Sequence, residues 1–123
     1  MSHVVNIDEL PHTHNAHEFV GANFDAPVSL ILVHSAPGEG PALHRHPYPE
    51  VFVVEAGTAT FVVDDVEVTT HGRHVVVAPS NSWHGFKNTG AGELRLTAIH
   101  TAPTFDTEWR AASDPAWVSP PGT

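Results

Sequence analysis

The sequence predicts an all-β protein, a sandwich or barrel of short antiparallel strands, on three observations. Apolar residues recur in short β-branched runs; 11 prolines and 9 glycines punctuate them; and no long segment carries a 3.6-residue apolar period with helix caps. The runs are residues 28–34 (VSLILVH), 51–55 (VFVVE), 58–63 (TATFVV), 66–70 (VEVTT), 74–78 (HVVVA) and 94–101 (LRLTAIHT). Valine, isoleucine and threonine favour the pleated, half-buried surface of a sheet. Many closely spaced strands with turn signals between them point to a sandwich or barrel. Asp64 and Asp65 separate two alternating runs as a hairpin turn, although neither is the glycine that such turns favour.

The 123 residues suit one domain, 1–123, with a core at about 28–101 and an extension on each side. The amino-terminal extension is polar and rich in histidine. The carboxy-terminal one carries Trp109 and Trp117, and large aromatics in such segments commonly pack across a barrel end or onto a partner subunit. No apolar run is long enough to span a bilayer, and the first residues lack a basic region followed by an apolar one, so a cytoplasmic protein is expected.

With no cysteine in the chain, thiolate metal sites, disulfides and cysteine nucleophiles are excluded. Five Lys and Arg against 14 Asp and Glu give a formal charge of −9, which repels a phosphate backbone; no nucleic-acid partner is expected. The unusual quantity is 11 histidines, the side chain that most often binds metals.

Their spacing carries the chemistry. His44 and His46 are two apart and project from one face if extended. Pro47, Tyr48 and Pro49 cannot continue a regular ladder, so the chain turns and Glu50 opens the next strand beside the histidines. Glu50, Phe52 and Val54 then share a face, setting a carboxylate at the mouth of an apolar interior, where a cation offsets the cost of burying it. After the strand 74–78, Pro79 turns the chain and His84 starts a return strand. Three imidazoles and one carboxylate suit one divalent transition metal ion, Mn, Fe, Ni, Cu or Zn, with open positions beside it.

These segments resemble the paired motifs of the cupin superfamily. Gly38, His44, His46, Glu50 and Gly57 meet G-x5-H-x-H-x3-E-x6-G without a gap; Pro79, His84 and Asn88 meet the second motif, G-x5-P-x-G-x2-H-x3-N. Arg73 and Asn81 stand where that motif has glycines. Asn tolerates left-handed backbone, so the Asn81 turn should be preserved, while Arg73 could alter a surface turn. The resemblance implies a double-stranded β-helix (jelly-roll) barrel, a metal held by His44, His46, Glu50 and His84, and a homodimer. It fixes no single reaction: cupins include dioxygenases, isomerases, lyases and non-catalytic binders.

A metal-dependent enzyme on a small oxygen-rich molecule, of dioxygenase type and similar to the quercetinase-like small cupins, is the favoured reading. An isomerase or lyase, or a non-catalytic small-molecule or metal binder, is the alternative. Glu50 and His100 are the candidates for moving a proton, His100 sharing a face with Leu94, Leu96 and Ala98. Tyr48, Phe52, Phe61, Phe86 and Leu96 are candidates for the pocket wall, with core packing the competing role for the apolar ones. His12, His14 and His17 have the look of a second metal site, but a polar segment ahead of the first strand is ordinarily solvated. His71 and His74 should be exposed, and Arg45 and Trp83 should face away from the ligands.

Overall fold

The computed structural model describes residues 3–110. Among these described residues, ten strands form two five-stranded sheets. They are β1 (Ala16–Phe19), β2 (Ser29–Ser35), β3 (His44–Arg45), β4 (Glu50–Ala56), β5 (Thr58–Val63), β6 (Val66–His71), β7 (His74–Ala78), β8 (His84–Asn88), β9 (Leu94–His100) and β10 (Glu108–Trp109). One sheet has the order β1-β2-β9-β4-β7, the other β10-β3-β8-β5-β6. Each pairing between these strands is antiparallel. Two single turns of 3-10 helix, Ile7–Glu9 and Gly21–Phe24, precede β2.

Period-two alternation decides what faces inward. Along β9, Leu94, Leu96, Ala98 and His100 are buried while the residues between them are not; along β4 the same holds for Glu50, Phe52 and Val54. The two strands pair with Glu50 opposite His100, Phe52 opposite Ala98 and Val54 opposite Leu96. Phe61 of β5 and Phe86 of β8 come from the other sheet, their rings 5.0 and 5.9 Å from that of Phe52. These aromatics, with Val54, Leu94 and Leu96, form the core between the sheets.

The two motif positions that lack glycine both take left-handed backbone: Arg73 has φ 71° and Asn81 φ 63°. The Arg73 turn is therefore kept, its N–H bonding the Val54 carbonyl at 2.7 Å. Gly57 has φ 91°, and a Cβ there would stand 2.6 Å from the Glu93 carbonyl oxygen, so this motif glycine is required twice over. Asp64 and Asp65 both have positive φ, which makes their two-residue hairpin type I′ without glycine.

The extensions are more ordered than a polar, solvated reading allows. β1 pairs with β2 over Ala16–Phe19, so His17 lies in a strand. At the other end β10 pairs with β3, placing Trp109 opposite His44. The segment leading to β10 is tied down by Ser29 Oγ donating to the Ala102 carbonyl at 3.0 Å and by Arg110 N–H bonding the Leu43 carbonyl at 2.9 Å. Trp117 lies outside the described residues.

Candidate metal centre

His44 and His84 are direct cross-strand partners in one sheet, and Glu50 and His100 are partners in the other. His46 lies just past β3, in the link to β4. The two sheets thus bring one ligand-bearing end together, with His44, His46, Glu50, His84 and His100 all buried. One potential ligand atom from each of His44, His46, Glu50 and His84 lies within 4.8 Å of the others, the one such group among the described residues.

The backbone sets which imidazole nitrogen is available. Nδ1 of His44 lies 2.7 Å from the Ala42 carbonyl, that of His46 2.8 Å from the Asp106 carbonyl, and that of His84 2.9 Å from the Ser82 carbonyl. A carbonyl oxygen can only accept, so each Nδ1 carries the proton and each neutral ring keeps its lone pair on Nε2. His46 Nε2 and His84 Nε2 lie 3.0 and 2.9 Å from Glu50 Oε1. Lone pairs facing a carboxylate need a positive charge between them. Two carboxylate oxygens also cannot satisfy three imidazoles, and Nε2 of both His46 and His100 lacks a well-aligned partner.

Titration follows the same demand. Burial, reinforced by the neighbouring His84, lowers His44 to about 4, leaving it neutral and able to ligate. For His46 burial would lower the pKa, but the adjacent Glu50 carboxylate and the Asp106 carbonyl outweigh it and raise it, the same demand for positive charge beside Glu50. Burial would raise Glu50, but the imidazoles of His100, His46 and His84 clustered on its carboxylate hold it well below the usual carboxylate range. A fixed carboxylate, uniform tautomers and convergent nitrogens fit a divalent transition metal, and these four residues can hold one.

The site opens into a cavity of about 350 Å³. Ile31, Val33, Phe52, Phe86, Ala98 and Phe105 give it apolar walls; His44, His46, Glu50 and His100 form its metal end, and Trp109 and Thr107 close over it from the carboxy-terminal segment. Among the described residues no Lys or Arg lines it, whereas Glu18 and Glu50 do.

Of the residues expected at the pocket wall, Phe52 and Phe86 line the cavity, and His100 does so at its metal end. Tyr48, Phe61 and Leu96 are placed elsewhere. Phe61 and Leu96 face inward but belong to the core, Leu96 one inward step below Ala98 along β9. Tyr48 lies behind the ligands, stacked on His46 at 4.9 Å with its hydroxyl 2.6 Å from His100 Nδ1. Arg45 pairs with Glu108 and lies 4.5 Å over the Trp83 ring, on the far side of β3 from the ligands. His71 and His74 are exposed. His14 pairs with Glu39 at 2.7 Å, apart from the neighbouring rings of His12 and His17, so the three do not converge.

Gly40, Pro41, Phe105, Thr107 and Trp109 are lining residues that sequence reasoning did not name as such. The tryptophan near the carboxy-terminal end was the one available signal.

The family described as Cupin domain matches residues 31–100. Protein SchB of Streptomyces halstedii is 40% identical over 68 residues, covering 54% of this chain and 49% of that protein. Auxin-binding protein 1 of Arabidopsis thaliana is 31% identical over 85 residues, covering 62% of this chain and 43% of that one. The chain therefore spans about half the length of the curated relatives it matches. Among solved structures, oxalate decarboxylase from Bacillus subtilis at pH 4.6 superposes with a TM-score of 0.72 at 20% identity, over 82% of this chain and 29% of the enzyme. An uncharacterized protein with a double-stranded β-helix domain from Klebsiella pneumoniae superposes at 0.69 and 17% identity, over 90% of this chain and 99% of its own. The fold is thus a double-stranded β-helix, and with the family matched over more than half of its length, the chain belongs to the cupin family.

Proposed function

We propose that this cupin is a metal-dependent enzyme of dioxygenase type acting on a small, oxygen-bearing organic molecule. One observation carries the reading: three of the four convergent ligands, His44, His46 and Glu50, line one end of an apolar cavity of about 350 Å³, within the usual range for small-molecule sites. His44, His46, Glu50 and His84 would hold Mn, Fe, Ni, Cu or Zn. Such an ion supplies a Lewis acid for charge developing on a substrate oxygen and, if redox-active, electron transfer to dioxygen.

The chain's own residues do the rest. Phe52, Phe86 and Phe105 hold the apolar body of the substrate and exclude water. With carboxylates and no cationic side chain in the lining, neutral substrates that lose a proton on binding are favoured over polyanions. Glu50 and His100, with Oε2 and Nε2 3.0 Å apart, are placed to hold a proton between them at the metal end. The alternative is a non-catalytic binder, favoured by the likeness to a protein named for binding auxin. We also propose that the protein acts as a homodimer in the cytoplasm, which light scattering and fractionation test.

Oxygen uptake by protein loaded with each ion, against flavonols, diketones and keto sugars, tests the enzyme. Uptake that disappears in His84→Ala supports it. Conversion without oxygen would replace the dioxygenase with an isomerase or lyase, and tight binding without turnover would establish the binder.

A further inference from the structure

His100 differs from the three ligand histidines in what holds its Nδ1. Theirs face carbonyl oxygens; that of His100 faces the Tyr48 hydroxyl at 2.6 Å. A hydroxyl can give or take a proton, so the next neighbour decides. The Asp106 N–H donates to the Tyr48 oxygen at 3.4 Å, which leaves the tyrosine's own hydrogen for His100 Nδ1. A neutral His100 whose Nδ1 accepts must carry its hydrogen on Nε2, and that atom lies 3.0 Å from Glu50 Oε2, within reach though short of hydrogen-bond alignment. Of its other ring neighbours, Phe105 is apolar and His46 turns its Nδ1 hydrogen to the Asp106 carbonyl, leaving its Nε2 lone pair on the ligand side. His100 is also absent from the convergent ligand group.

We infer that His100 is a positioning residue and not a fifth ligand: fixed as the Nε2–H tautomer by Tyr48 and the Asp106 peptide, it donates to Glu50 Oε2 and reserves Oε1 for the ion. The inference rests on the metal reading of the site. One residue sets both kinds of histidine, the Asp106 carbonyl holding the Nδ1 of His46 and the Asp106 N–H orienting the hydroxyl that faces His100. With Oε2 engaged, Glu50 binds through one oxygen, and the coordination positions toward the cavity stay open for substrate. His100 has no free lone pair with which to act as a base while Tyr48 occupies Nδ1.

Imidazole tautomers are measured by long-range proton–nitrogen NMR on uniformly labelled protein, both chelated and zinc-loaded, with zinc affinity measured in parallel. His100 should appear as the Nε2–H tautomer in both samples, and His44, His46 and His84 as Nδ1–H tautomers with zinc bound. Tyr48→Phe keeps the ring beside His46 but should mix the His100 tautomers. His100→Gln, which can still donate to Oε2, should hold zinc affinity within about 3-fold, whereas His100→Leu should weaken it roughly 10–100-fold, the usual effect of losing a group that orients a ligand. An Nδ1–H tautomer at His100, coordination by its Nε2, or equal loss in the Gln and Leu variants would overturn the inference. Failure of the wild-type protein to bind zinc, manganese, iron, nickel or copper would overturn the metal reading instead, while the tautomer in the chelated sample would still decide whether Tyr48 fixes His100.

Discussion

Replacing Glu50 with Gln separates the two tasks a buried carboxylate can perform here, holding the fold and holding an ion. Glu50 is 2% exposed, with Oε1 at 3.0 and 2.9 Å from the Nε2 atoms of His46 and His84. A glutamine of the same shape offers N–H donors to those lone pairs, so the ion-free variant at pH 8 should stay within about 2 kcal/mol of wild type. The ion-linked stability should vanish. At an ion concentration 100 times its Kd, binding contributes about 2.7 kcal/mol, and a domain of this size gains roughly 4 °C per kcal/mol, so wild type should rise by about 10 °C. Glu50→Gln should not move. Differential scanning calorimetry with and without each divalent ion reads both quantities. The reasoning is refuted if the variant keeps the thermal shift. It is also refuted if the ion-free variant loses more than about 3 kcal/mol, because that loss marks a carboxylate retained as half of a buried ion pair.

Three further outcomes follow from the packing. Arg73→Gly relieves a left-handed residue that costs about 1–2 kcal/mol, less about 0.5–1 for glycine's extra freedom when unfolded, so urea titration should find it more stable by roughly 0.5–1 kcal/mol. Asn88→Ala removes the donor to Ser35 O at 2.9 Å, which ties β8 to β2, and the donor to Gly92 O at 2.8 Å and acceptor for Gly90 N–H, which hold the turn after β8, and should cost about 2–4 kcal/mol in the same titration. Phe61→Ala should destabilise by about 3–5 kcal/mol, because Phe61 is core, whereas Phe105→Ala at the half-buried cavity wall should weaken ligand binding at far smaller cost to the fold, as calorimetry and ligand titration read separately.

The strands of the core were legible in the sequence because alternation maps directly onto the inward face: Glu50, Phe52 and Val54 share it as their spacing requires. The four ligands were legible because their motif fixes residue type and interval together. Depth was not. Ala98 lines the cavity and Leu96 does not, though both face inward on one strand, because a period of two records the face and not the distance from the barrel end. Two-residue strands such as β3 and β10 have no pattern of their own and exist through pairing, β10 with β3 and β3 with β8. Tyr48 was expected at the wall, but only the Asp106 peptide, arriving from 58 residues away, reveals that it works behind the ligands. Arg73 could have altered its turn; its positive φ keeps that turn at a cost in strain.

The central claim is that His44, His46, Glu50 and His84 hold a divalent transition metal ion. Elemental analysis of purified protein, before and after incubation with Mn, Fe, Ni, Cu and Zn, tests it most directly. The account predicts close to one ion per chain, lost in a folded His84→Ala variant; wild-type protein that stays metal-free with all five ions would contradict it.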